Sequence, residues 1–95
     1  MNYSKNTVNY LNLWRGEFAD NYRNQPRLYK ALVENQVFFE DKEDCLSVTF
    51  YVKNGIQQHW IEVNQYDDFV GRLLILTGVK MIELNIVPED DLPFA

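Results

Sequence analysis

The sequence predicts a two-layer α+β domain with a three-stranded sheet, in the order helix, helix, strand, strand, helix (one or two), strand. Three observations carry this. Bulky residues recur at spacings of three and four between residues 7 and 33. Apolar and polar residues alternate over 46–53 and again over 82–86, and helical spacing returns between those two runs. One sheet face covered by helices, with a helical crossover joining strands two and three, satisfies all three.

Leu11, Trp14, Phe18 and Tyr22 form one stripe of an amphipathic helix over residues 7–22, with Arg15, Glu17, Asp20 and Asn21 mostly between them. Pro26 cannot continue that helix but suits the first turn of another, in which Leu28, Ala31 and Leu32 make a second stripe. Asn24-Gln25 is then the corner. In the first long strand Leu46, Val48, Phe50 and Val52 point one way, and Ser47, Thr49, Tyr51 and Lys53 the other. Its antiparallel partner is Val37-Phe38-Phe39, with Glu40-Asp41-Lys42-Glu43-Asp44 as the polar hairpin loop and Asn54-Gly55 as the stop at the far end.

Helical spacing resumes with Ile56, Trp60 and Val63, of which Trp60 reads as a core residue, followed by Phe69, Val70, Leu73, Leu74 and Thr77. The phase slips at Asn64-Gln65-Tyr66, which predicts a kink there or two successive helices, with Asp67 and Asp68 suited to the first turn of the second. Gly78 fits a left-handed closing position. The last strand points Ile82, Leu84 and Ile86 inward and ends at Pro88. The expected organisation is one domain over residues 1–87 and a flexible acidic tail over 88–95.

Composition narrows the function. With 95 residues, 46% of them hydrophobic and 24% charged, the chain has the balance of one small domain, and fourteen Phe, Tyr and Trp give it a bulky core. No apolar run approaches the roughly 18 residues of a spanning helix, and the start lacks a secretory pattern, so a cytoplasmic protein is expected. The single Cys45 excludes an internal disulfide framework and a thiolate zinc module. The net charge of −5 is unevenly spread: residues 1–33 carry five basic and two acidic groups, a net of +3, and residues 34–95 carry four and twelve, a net of −8. A mostly acidic surface repels polyanions and favours a protein partner over nucleic acid.

The chemistry-bearing residues are sparse. His59 and Cys45 stand without neighbours that make a nucleophile or a base, so His59 reads as a surface or boundary residue and Cys45 as a space-filler. Glu40, Asp41, Glu43 and Asp44 lack the ordered spacing and glycine of a calcium loop, and Gly16, Gly55, Gly71 and Gly78 make no phosphate-cradling motif. No catalytic residue, metal or cofactor is expected, and the chain does not read as an enzyme. Arg15, Arg23, Arg27 and Lys30, with Trp14, Tyr22 and Tyr29 among them, form the one basic patch. It is a candidate for an acidic partner or, as the alternative function, for single-stranded nucleic acid through phosphate pairing and base stacking.

Taken in order, Leu13-Trp14-Arg15 with Phe18-Ala19, Gln25-Pro26-Arg27-Leu28-Tyr29 with Ala31-Leu32, Val52-Lys53-Asn54 with Gln57, Phe69-Val70 with Leu73, and Ile82-Glu83-Leu84 form a pattern over residues 11–87. It resembles the C-terminal domain of the gamma/tau subunit of bacterial DNA polymerase III, of the type found in Bacteroidetes. The resemblance implies a degenerate KH-like fold and a non-enzymatic role in DNA replication, tethering the clamp loader to the replicative polymerase or another replisome protein. Residues 63–66, between the last two helices, lack the GxxG loop with which KH domains clamp a nucleic-acid backbone. Separately, Glu89-Asp90-Asp91-Leu92-Pro93-Phe94 resembles the acidic tip of bacterial single-stranded DNA-binding protein, with Ala95 displacing the terminal carboxylate from Phe94. That likeness implies partner docking through Asp90, Asp91, Leu92, Pro93 and Phe94, where one aromatic anchor fills a pocket and carboxylates meet a basic rim.

Overall fold

The computed structural model describes residues 9–89, and their fold is α+β, with four helices and a three-stranded mixed sheet. The elements are α1 (residues 9–20), α2 (Pro26–Glu34), β1 (Val37–Lys42), β2 (Cys45–Val52), α3 (Gly55–Asn64), α4 (Tyr66–Thr77) and β3 (Met81–Pro88). The predicted slip in helical phase is a true break. Gln65 leaves helical geometry at φ −125°, ψ −14°, so α3 and α4 are separate helices with Asp67 and Asp68 in the first turn of α4.

α1 widens into a π-helical stretch over Trp14–Phe18, where the Ala19 amide donates to the carbonyls of Trp14 and Gly16. The extra residue in the turn lets Trp14, Phe18 and Ala19 all face the core. Pro26 opens α2, which buries Leu28, Ala31 and Leu32. At α3 the Asn54 side chain accepts the Gln57 amide at 3.0 Å while the Gln57 side chain accepts the Lys53 amide at 2.8 Å, a reciprocal cap. Gly78, at φ 75°, closes α4 in the left-handed region as expected.

The strand order is β1-β2-β3, with β1 antiparallel and β3 parallel to β2. The hairpin is tighter than expected. Pairing continues through Glu40↔Ser47, Asp41↔Leu46 and Lys42↔Cys45, which leaves Glu43-Asp44 as a two-residue turn with Glu43 at positive φ. Acidic side chains on an edge strand are solvated, so their polarity does not end the ladder. The last strand ends at Pro88, as expected. β3 takes in Pro88, and the Glu89 amide donates to the Val52 carbonyl at 2.7 Å.

Alternation turns Leu46, Val48, Phe50 and Val52 to the helices, where they are buried with Leu84 and Ile86. Trp14 is the centre of this core. Its ring lies 4.6 Å from Phe18, 5.1 Å from Phe50, 6.0 Å from Phe39 and 6.4 Å from Phe69 between centroids, and its indole N–H donates to the Leu32 carbonyl at 3.0 Å. The outer edge of β3 is capped by helix side chains. Since Glu89 addresses β2, the carbonyls of Leu84 and Ile86 point away from it, and they accept from the Tyr66 hydroxyl (2.9 Å) and the Gln58 amide (3.0 Å). That occupies groups with which another strand would pair.

Candidate interaction surface

The apolar stripe of α3 faces solvent. Ile56 is 81% exposed, Val63 65% and Trp60 43%, while Ile61 is the one buried residue of that helix. This corrects the assignment of Trp60 to the core, and the reason lies on the opposite side of α3. There Gln57 folds back to the Lys53 amide and Gln58 reaches the Ile86 carbonyl, so the inward side of α3 is Ile61 flanked by two glutamines. Periodicity finds an apolar stripe and says nothing about which side it faces. The three residues sit at i, i+4 and i+7, on one side of a helix capped at its N-terminus and packed on β3. The exposed His59 and Glu62 lie on the same helix.

The basic residues are distributed over α1, the turn after it and α2. Arg15 donates to the Asn35 carbonyl at 3.3 Å, at the C-terminal end of α2. Arg23 pairs with Asp20 at 2.9 Å and lies over the Tyr29 ring at 5.1 Å, close to the other end of α2. Nine helical residues separate those ends by about 13 Å. Arg27 and Lys30 are exposed on α2 between them, where Lys30 is one turn from Glu34. Trp14 and Tyr22, two of the three aromatics interleaved with these cations, are buried, as their place on the apolar stripe of α1 predicts. Asp90, Asp91, Leu92, Pro93 and Phe94 lie outside the described residues.

Where α1 ends, the chain is tied to α4. The Tyr22 hydroxyl donates to Asp68, and Arg72 donates to Asp68 at 3.2 Å and to the Asn21 side chain at 3.0 Å. Burial, then the hydrogen bond and charge of Asp68, hold the Tyr22 phenol well above its ordinary value near 10, against a smaller opposing effect of Arg72. A phenol raised in the folded state stabilises the fold fully below its unfolded pKa, and that contribution is lost as pH rises beyond it. Tyr22→Phe is therefore expected to lose less stability than the parent between about pH 9 and 11, read as the drop in urea midpoint. Equal drops in both chains would show that this phenol does not carry the alkaline limb. Tyr10, also raised, chiefly by burial and with Asp41 adding, is present in both chains and cancels.

His59 is exposed and Cys45 half-buried at the start of β2, as the sequence suggested. Among the described residues no group of three His, Cys, Asp or Glu is arranged to hold a metal ion, and no helix is long and apolar enough to cross a membrane. Comparison of the chain with protein-family models, with curated proteins and with solved structures returns no match.

Proposed function

We propose that this α+β domain is a non-enzymatic interaction module of the DNA replication machinery, tethering the clamp loader to the replicative polymerase or to another replisome protein. The replisome setting rests on the sequence pattern described above, and the mode of action rests on α3. Ile56, Trp60 and Val63 form an exposed apolar stripe on an ordered helix while the core is filled without them. A helix face with anchors at i, i+4 and i+7 is a common way to engage a groove or a second helix on a partner. A central tryptophan is the residue type that most often dominates such contacts.

The test is direct binding of the purified chain to purified replicative polymerase by calorimetry. Saturable binding is expected, abolished by Val63→Asp, which puts a charge on the stripe without touching the core. Binding that survives Val63→Asp would move the contact off α3, and absence of binding would remove the polymerase from the proposal.

A further inference from the structure

We propose that the outer edge of β1 takes up an extended, basic segment of a partner protein as an additional, antiparallel strand. The sheet order makes β1 an outer strand, and one bond fixes the direction of its backbone groups. The Tyr51 amide donates to the Gln36 carbonyl at 3.0 Å, in register with the β1–β2 ladder, so the even-numbered residues of β1 turn their backbone groups to β2. Phe39 and Asp41 therefore turn theirs outward. Among the described residues no hydrogen bond reaches those outward groups, whereas the Leu84 and Ile86 carbonyls on the opposite edge of the sheet are taken by Tyr66 and Gln58. The sheet is closed on one side and open on the other, and a row of backbone donors and acceptors is matched by another extended chain.

The side chains along this edge select the occupant. Glu40, Asp41, Glu43 and Asp44 are exposed along the end of β1 and its turn, and the one cation among them, Lys42, reaches across β2 to Glu83 at 3.3 Å, away from the edge. That leaves the edge negative. A second copy fits it poorly, because self-pairing about a two-fold axis at Phe39, Glu40 or Asp41 sets Phe38 against Glu40, Glu40 against Glu40, or Asp41 against Asp41. A segment with basic residues opposite Asp41 and Glu40 meets charge with opposite charge instead. Two residues further on, opposite Phe38, it meets an exposed ring that stands edge-on to Tyr51 at 5.7 Å on the sheet face away from the helices. An apolar residue fits there, so the recognised chemistry is an extended chain reading basic, basic, any, apolar.

This edge is a different surface from the α3 stripe, and it is tested with the purified chain and a synthetic probe, so its failure leaves the polymerase reading untouched. The probe is the end-blocked peptide Thr-Lys-Arg-Val-Ile-Thr, added to the isotope-labelled chain and followed by nuclear magnetic resonance. Saturable binding is expected, and the Phe39 and Asp41 amides, which exchange readily with water in the free chain, should exchange roughly tenfold more slowly in the complex. Methylating the Lys and Val nitrogens of the peptide, which face the edge in this register, should abolish binding, and methylating the Arg and Ile nitrogens, which face away, should not. Glu40→Gln/Asp41→Asn should weaken binding roughly fivefold through the loss of two cross-strand ion pairs. Phe39 and Asp41 amides already protected in the free chain would mean that this chain covers the edge itself, or that a second copy does if the protection fades on dilution, and either overturns the inference. So does absence of binding, binding indifferent to which nitrogens are methylated, or equal binding of the peptide Thr-Glu-Glu-Val-Ile-Thr.

Discussion

Replacing Trp14 with alanine is expected to cost about 4–5 kcal/mol, the upper end of what a buried tryptophan loses on truncation. The side chain is fully buried, stands against Phe18, Phe39, Phe50 and Phe69, and spans both layers. Alanine leaves a cavity walled by aromatic rings, which cannot close it by simple rotation, and leaves the Leu32 carbonyl without its donor. In a domain of ordinary stability, about 5–15 kcal/mol, that is about a quarter or more of the total. The urea midpoint measures it. Trp14→Phe keeps most of the ring packing and should lose about 1–3 kcal/mol, mainly through the unpaired carbonyl. A loss below about 2 kcal/mol for the alanine variant would mean that the core refills around the gap and that Trp14 is not its hub.

The other tryptophan is expected to behave in the opposite way. Trp60→Ala should change stability, read from the urea midpoint, by no more than about 0.5 kcal/mol, since the ring faces outward and alanine is the better helix former. Its cost should fall on binding instead. With Trp60 as the anchor of the α3 stripe, dissociation of the proposed polymerase partner should rise by roughly 30-fold or more, about 2 kcal/mol. Unchanged affinity together with unchanged stability would leave Trp60 without a role on this surface. A large loss of stability would mean instead that the residue is part of the fold.

The contrast between the two tryptophans marks how far periodicity reaches. Trp14 and Trp60 both lie on apolar stripes with spacings of three and four, and nothing local separates them. Trp14 is inside because α1 lies across the sheet face with Phe18 and Tyr22 also inside, and because its indole N–H meets a carbonyl of α2. Trp60 is outside because Gln57 and Gln58 take up hydrogen bonds at the other side of α3, turning Ile61 inward. Those partners are an amide just before α3 and a carbonyl 28 residues away, and the second exists only once the sheet has formed. The spread of the basic residues has a related reason. Arg15, Arg23, Arg27 and Lys30 are close in sequence, but the turn at residues 21–25 and the length of α2 spread them out and hand two of them to local acceptors.

What the sequence by itself determined is the α+β class, the order of the elements apart from whether one or two helices precede the last strand, the phase slip at residues 64–66, the left-handed Gly78 and the inward set Leu46, Val48, Phe50 and Val52. Each depends on the backbone preferences of a few neighbouring residues or on a period of two, and both are legible locally. Only the tertiary structure decided the two-residue turn at Glu43-Asp44, the capped outer edge of β3, and which of two apolar stripes would be core. Those outcomes depend on which surfaces meet, and burial is a property of the pair of surfaces and not of either stripe alone.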